Sequence, residues 1–107
     1  MPIYDNITNK MDFNKIINEK VYALVMLTAS WCGPCKVIKP IFHKYSNTAK
    51  YNHINFIEID IDRSNEIANE FDLRSVPTFV LFLNGNKHQT IIGSNPKELE
   101  RIVNCTL

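Results

Sequence analysis

The chain has 107 residues, 45% of them hydrophobic and 21% charged, with a formal net charge of +1. That is enough for one domain, spanning residues 1–107, with a core that needs no disulfide staples. The near-neutral charge balance argues against nucleic acid or an anionic membrane surface as a partner, and no apolar run is long enough to span a bilayer.

In chain order, Pro2 to Ile7 is read as a short first strand. Residues 1–20 carry Asp5, Asp12 and Glu19 and no basic stretch followed by an apolar one, so no secretory signal is expected. Asp12 is the expected N-cap of a helix from Phe13 to about Glu19, with Phe13, Ile16 and Ile17 on one face. Val21 to Ala29 is apolar apart from Thr28 and lacks alternation, which predicts a strand covered on both faces. Trp31-Cys32-Gly33-Pro34-Cys35 follows. Val37, Ile38, Ile41, Phe42 and Tyr45 then recur at helical spacing, with Lys36, Lys39, Lys44 and Lys50 expected to face water. Pro40 falls inside this helix and should kink it.

Ile54 to Ile61 reads as the next strand. Asp62 or Ser64 is placed to cap a short helix running through Ile67 and Phe71. Phe79 to Leu83 forms a strand, Asn84-Gly85 signals a hairpin, and the return strand runs from about Lys87 to Ile92. Asn95, Pro96 and Glu98 mark a helix start, with Leu99, Ile102 and Val103 on its buried face. The order β-α-β-α-β-α-β-β-α predicts an α/β fold. Its sheet should be mixed and five-stranded, flanked by four helices on both faces.

The pattern that carries chemistry is Cys32-Gly33-Pro34-Cys35. Three cysteines are too few, and odd in number, for a disulfide framework, so a reducing compartment and a cytoplasmic location are expected. A Cys-x-x-Cys that closes a strand and opens a helix puts the first sulfur at a helix N-terminus. Unpaired N–H groups and the helix dipole there favour a thiolate, the nucleophile of disulfide exchange. The alternative is half of a zinc site, which needs two further ligands from Cys105, His43, His53 or His88. None of these forms a second short-spaced pair, so no metal is expected. Cys105 is read as a small, partly buried side chain, and His43 as a surface or packing residue. Asp60 and Asp62 are expected to cap the turn after their strand. Tyr4, Tyr22, Tyr45 and Tyr51 are read as packing residues, and Arg74 as a solvated loop charge.

These residues match a known family. Trp31-Cys32-Gly33-Pro34-Cys35-Lys36, with Ala29 before it and Pro40 after it, resembles the active site of thioredoxins. Glu58-Ile59-Asp60-Ile61-Asp62 is similar to the third strand of eukaryotic cytosolic members. Val76-Pro77-Thr78-Phe79 resembles the family's cis-proline loop, and Asn84-Gly85 its hairpin. Gly93 and the last helix fall where the family has them. The resemblance implies a thioredoxin-like fold and a protein-disulfide reductase, monomeric and without a bound cofactor. Cys32, exposed at the helix start, would attack a substrate disulfide, and the more buried Cys35 would resolve the mixed disulfide. Gly33 and Pro34 would restrain the pair, while Trp31, Val76, Pro77 and Gly93 would form the substrate face. The implied partners are disulfide-containing proteins and an NADPH-dependent thioredoxin reductase, in electron transport and cell redox homeostasis.

One departure stands out. The family commonly carries a buried acid on the strand before the active site, at the position that is Met26 here. That acid is thought to help deprotonate the resolving thiol. Its loss motivates a second reading, a binding or regulatory module of the same fold with weak redox activity. Isomerase or oxidase function is less expected, because those enzymes often carry His between the cysteines.

Overall fold

The computed structural model describes residues 3–107. Its centre is β1 (Tyr22–Thr28), in which every residue from Ala23 to Thr28 is buried. A strand with no exposed face must be flanked by strands and covered by helices on both sides, and this one is. The sheet order is β2-β1-β3-β4, with β2 at Ile54–Asp60, β3 at Thr78–Leu83 and β4 at Asn86–Ile92. β1 runs parallel to β2 and antiparallel to β3, and β4 returns antiparallel to β3.

Side-chain alternation sorts the core into two layers. Leu24 and Met26 of β1 face α2 (Gly33–Ser46) and α4 (Pro96–Asn104), together with Phe56, Phe79 and Leu81. Ala23, Val25 and Leu27 face α1 (Lys10–Ile17) and α3 (Asn65–Ala68), together with Ile57, Ile59 and Phe82. In the first layer the rings of Phe42 and Phe56 meet at 5.4 Å and those of Phe42 and Phe79 at 5.7 Å. Such aromatic contacts add to the area they bury.

The expected fifth strand is not formed. Pro2 lies outside the described residues, and Tyr4 makes only an isolated parallel bridge to Ile57. Two backbone hydrogen bonds hold it, Tyr4 N–H to Phe56 O and Glu58 N–H to Tyr4 O. Asp5 and Asn6 follow at once, and such residues are poor strand formers. Tyr4 itself is exposed, and its hydroxyl donates to Glu19. Burial and that neighbouring carboxylate push its phenol pKa up.

The first helix begins earlier than its sequence suggests. Asn9 is the N-cap: its Oδ1 accepts from Asp12 N–H at 2.9 Å, and its Nδ2 donates to the Asp12 carboxylate. Asp12 is therefore the reciprocal partner three residues in, as in a capping box. Ser64 occupies the cap position of α3 but donates its hydroxyl to Ile7 O instead, and α3 is a single turn. A 3₁₀ turn at Ala49–Tyr51, unforeseen in the sequence, carries Tyr51, whose hydroxyl donates to Asn104.

The Asn84-Gly85 turn forms as expected. Both residues have positive φ, and Leu83 pairs with Asn86 across it. Gly85 has a second constraint, because a Cβ there would collide with the Asn18 side chain. The Asn95 cap also forms, with Oδ1 accepting from Lys97 and Glu98 N–H at 3.0 and 3.3 Å. Removing it in Asn95→Ala should lower stability by about 1 kcal/mol, read as a lower urea midpoint at unchanged slope.

Candidate active site at the start of the second helix

The carboxyl ends of β1 and β2 lie side by side, and the loops that leave them build the site. Thr28 ends β1. Cys32 N–H donates to Ala29 O at 3.2 Å, which tightens the turn into α2. Cys32 is the N-cap of α2, with extended backbone, and its Sγ accepts from Cys35 N–H at 3.2 Å. A sulfur thus takes the place usually held by a capping oxygen, against N–H groups that have no partner within the helix. Cys32 and Cys35 are joined by a disulfide with their Cα atoms 5.3 Å apart.

Cys35 is buried as expected, and Cys32 is more enclosed than expected. Cys32 is 4% exposed and Cys35 is fully buried. Cys32 was expected to be exposed; instead the Val76 carbonyl oxygen lies 3.6 Å from its Sγ and closes one side. The order of accessibility still holds. The Val76–Pro77 peptide bond is cis. Gly93, at φ 101°, donates its N–H to Pro77 O at 2.9 Å. Val76 therefore lies against Cys32, and Gly93 is tied to the neighbouring Pro77. Gly33 and Pro34 form the exposed first turn of α2.

Trp31 is 67% exposed yet anchored: its Nε1–H donates to Asp62 at 2.9 Å. Asp62 was read only as a turn residue. The turn itself is capped by Asp60, whose Oδ1 accepts from the N–H groups of Asp62 and Arg63. This frees the Asp62 carboxylate for the indole. Sequence separation hid the contact, since the two residues meet only because β1 and β2 pair in parallel.

Met26 lies beneath the site and is fully buried. The buried polar side chains described are Thr28, Ser46, Asn55, Ser64, Thr78 and Thr106, with no carboxylate among them. The nearest acid on this face of the sheet is Glu58, the register partner of Met26 on β2. Lys39 was expected to face water and His43 to be a surface or packing residue; both contact Glu58. Lys39 lies one turn beyond Cys35, on the border of the inward stripe rather than opposite it.

The other candidates are dispersed. His53 pairs with Thr106, His88 is exposed on β4, and Arg74 is exposed before Val76. Cys105 is exposed at the end of α4, not partly buried, because it is the residue that caps the last turn. Among the described residues no group of three or more His, Cys, Asp or Glu is placed to hold a metal. No helix among them is long and apolar enough to cross a membrane.

A buried cysteine pair at a helix N-terminus on this sheet defines a centre for thiol–disulfide exchange. The thioredoxin family model matches residues 5–105. The chain is 39% identical to thioredoxin of Coprinus comatus over 101 residues, covering 94% of this chain and 95% of that protein. It is 38% identical to thioredoxin-1 of Schizosaccharomyces pombe, with 94% and 96% covered. The solved structure of Malassezia sympodialis thioredoxin superposes with a TM-score of 0.90 at 33% identity, covering 97% of this chain and 90% of that one. The chain belongs to the thioredoxin family. It is a thiol–disulfide oxidoreductase with a redox-active cysteine pair.

Thr28 offers a test of the layer under the site. It is buried, and its Oγ1 has no hydrogen-bond partner among the described residues. A buried unpartnered hydroxyl costs roughly 1–3 kcal/mol. Thr28→Val removes the hydroxyl at nearly constant shape and should raise the melting temperature, by roughly 4–8 °C for each kcal/mol recovered. A lower melting temperature would instead reveal a bridging water on that oxygen.

Proposed function

We propose that the chain reduces disulfides in other proteins, with Cys32 as the attacking sulfur and Cys35 as the resolving one. The observation that carries this assignment is the Cys35 N–H directed at Cys32 Sγ at the start of α2. That donor and the helix dipole favour negative charge on Cys32 before any other. The small accessibility left to Cys32, against none for Cys35, supports the same order.

The reaction then runs in two displacements. The Cys32 thiolate attacks one sulfur of the substrate disulfide. That bond breaks, the second substrate sulfur leaves as a thiolate and takes up a proton, and a Cys32–substrate mixed disulfide remains. Cys35 loses its proton and attacks Cys32 Sγ. The Cys32–Cys35 disulfide forms and the substrate leaves as a dithiol, so two electrons have passed to it. Trp31, Val76, Pro77 and Gly93 form the substrate face. The Val76 carbonyl beside Cys32 is placed to accept from the backbone of an extended segment, and Trp31 gives an apolar rim. Gly33 and Pro34 restrain the first turn between the two sulfurs. An NADPH-dependent thioredoxin reductase is the proposed electron donor. We place the protein as a monomer in electron transport and redox homeostasis of the cytosol, one domain over residues 1–107.

Met26 favours a second reading, a binding module of the same fold whose turnover is incidental. Insulin-disulfide reduction with an excess of a regenerating dithiol separates the two. The parent chain should turn over, Cys32→Ser should fall to background, and Cys35→Ser should accumulate a Cys32-linked mixed disulfide. A parent chain that forms mixed disulfides yet does not turn over would support the binding module.

Position 26 yields its own expectation. Met26→Asp supplies a general base beneath Cys35, and such assistance is typically worth roughly 10²–10⁴-fold on the step it serves. Resolution of the mixed disulfide should accelerate in single turnover. Burial should raise the new carboxyl's pKa in the folded chain above its unfolded value. The stability loss should therefore be smallest at low pH and grow as pH rises past about 4, the unfolded carboxyl value. Resolution no faster than in the parent would show that Met26 does not limit this step.

A further inference from the structure

One charged cluster lies along the inner border of the active-site helix, and the exchange mechanism above does not use it. Glu58 leaves β2 on the same face as Met26, its register partner on β1. Its side chain is 15% exposed. Each carboxylate oxygen is taken by a residue of α2: Oε2 lies 3.3 Å from Lys39 Nζ, and Oε1 lies 2.7 Å from His43 Nε2. Lys39 is one helical turn beyond Cys35, about 6 Å along the axis. His43 is two turns beyond, about 12 Å along it. Lys39 is seven residues beyond Cys32, roughly 10 Å along the axis. With the Lys39 and His43 side chains 38% and 39% exposed, the field of this cluster at the thiolate is modest and partly screened by salt.

We propose that the Glu58–Lys39 pair, with His43 as its second contact, sets the thiolate stability and redox poise of the Cys32–Cys35 pair. The proposal rests on the reading of Cys32 and Cys35 as a working dithiol. Glu58 is a positioning residue, acting through Lys39 and through its field. The lysine cation favours a thiolate at the start of α2, and the glutamate anion opposes it. Paired, they largely cancel. Removing either leaves the other acting alone, with opposite sign.

The other groups around the site are apolar, or carry charges that stay the same in variants of this pair. β1 contributes Leu24, Met26 and Thr28 to this face, and α4 contributes Leu99, Ile102 and Val103, none of them charged. On β2, Asp60 is held by the N–H groups of Asp62 and Arg63. Asp62 is held by Trp31, and Lys36 is exposed.

Two isosteric or near-isosteric variants test the sign. Glu58→Gln leaves Lys39 uncompensated. The thiolate is then stabilised, the reduced form is favoured, and the pair becomes more oxidising. Lys39→Gln leaves Glu58 uncompensated and makes the pair more reducing. Iodoacetamide alkylation of reduced protein is followed against pH, with Cys32 resolved from Cys35 and Cys105 by peptide mass spectrometry. The Cys32 profile should move to lower pH in Glu58→Gln and to higher pH in Lys39→Gln, by about half a pH unit each way. Equilibration against glutathione redox buffers should shift in the matching directions, and the double variant should return close to the parent.

Shifts of both single variants in the same direction, or no shift in either, would overturn the proposal. A purely structural clamp would lower stability in each variant and leave the alkylation profiles in place. Glu58→Asp, which keeps the charge, should retain the parent profile and serves as the check if Glu58→Gln folds poorly. Alkylation needs no turnover. A parent chain that fails to reduce insulin would therefore sink the reductase reading while leaving the sign of these shifts still decisive for Glu58.

Discussion

The active site depends on one contact, the backbone N–H of Cys35 directed at Cys32 Sγ. Helix starts leave N–H groups without partners, and here a sulfur fills the vacancy. Everything upstream serves to place that helix start. β1 is buried on both faces, so its register against β2 and β3 admits little slippage. The Ala29–Cys32 turn then delivers the sulfur to the start of α2. Pro34 in the first turn removes a donor that would have had no partner. The fold thus fixes the nucleophile through backbone geometry, and no charged side chain is required at the sulfur itself.

The rest of the site comes from strands that lie apart in sequence. β1 and β2 run parallel, so their carboxyl ends share one edge, where open α/β sheets place their ligands. Asp62 reaches Trp31 from the turn after β2, and Val76, Pro77 and Gly93 arrive from the ends of β3 and β4. Trp31 is held by its indole nitrogen while its ring stays open to solvent. That is a combination suited to repeated contact with different partners.

What was legible in the sequence was local. The unbroken apolar run of β1, the Asn84-Gly85 turn and the Asn95 cap each form within a few residues of chain, and each stands as read. The Cys-x-x-Cys site was legible for the same reason. Losses came where two local signals competed or where a tertiary contact chose between them. Asn9 and Asp12 are both good caps, and the reciprocal bond between them settled which one leads. Ser64 has the chemistry of a cap, but its hydroxyl goes to Ile7. Lys39 read as a solvated position by periodicity, because a long side chain at the border of a buried stripe can turn either way, and nothing local tied it or His43 to Glu58. Only the register of β2 against β1 shows that they converge.

That convergence changes the meaning of Met26. A carboxylate placed there would be fully buried, without a partner supplied by its own strand, and such burial is costly. Methionine instead fills the space and contributes apolar burial worth about 1.5–3 kcal/mol. The acid on this face stands one strand further out, about 4.8 Å across the sheet. There its side chain keeps some solvent and gains two contacts from α2. Its desolvation is therefore partial, and its charge is matched by Lys39. The layer under the cysteines is apolar and buried, while the field along the helix comes from its edge. In this chain, stability and thiol chemistry draw on different residues. Packing beneath the helix and the charge balance along it can then change independently.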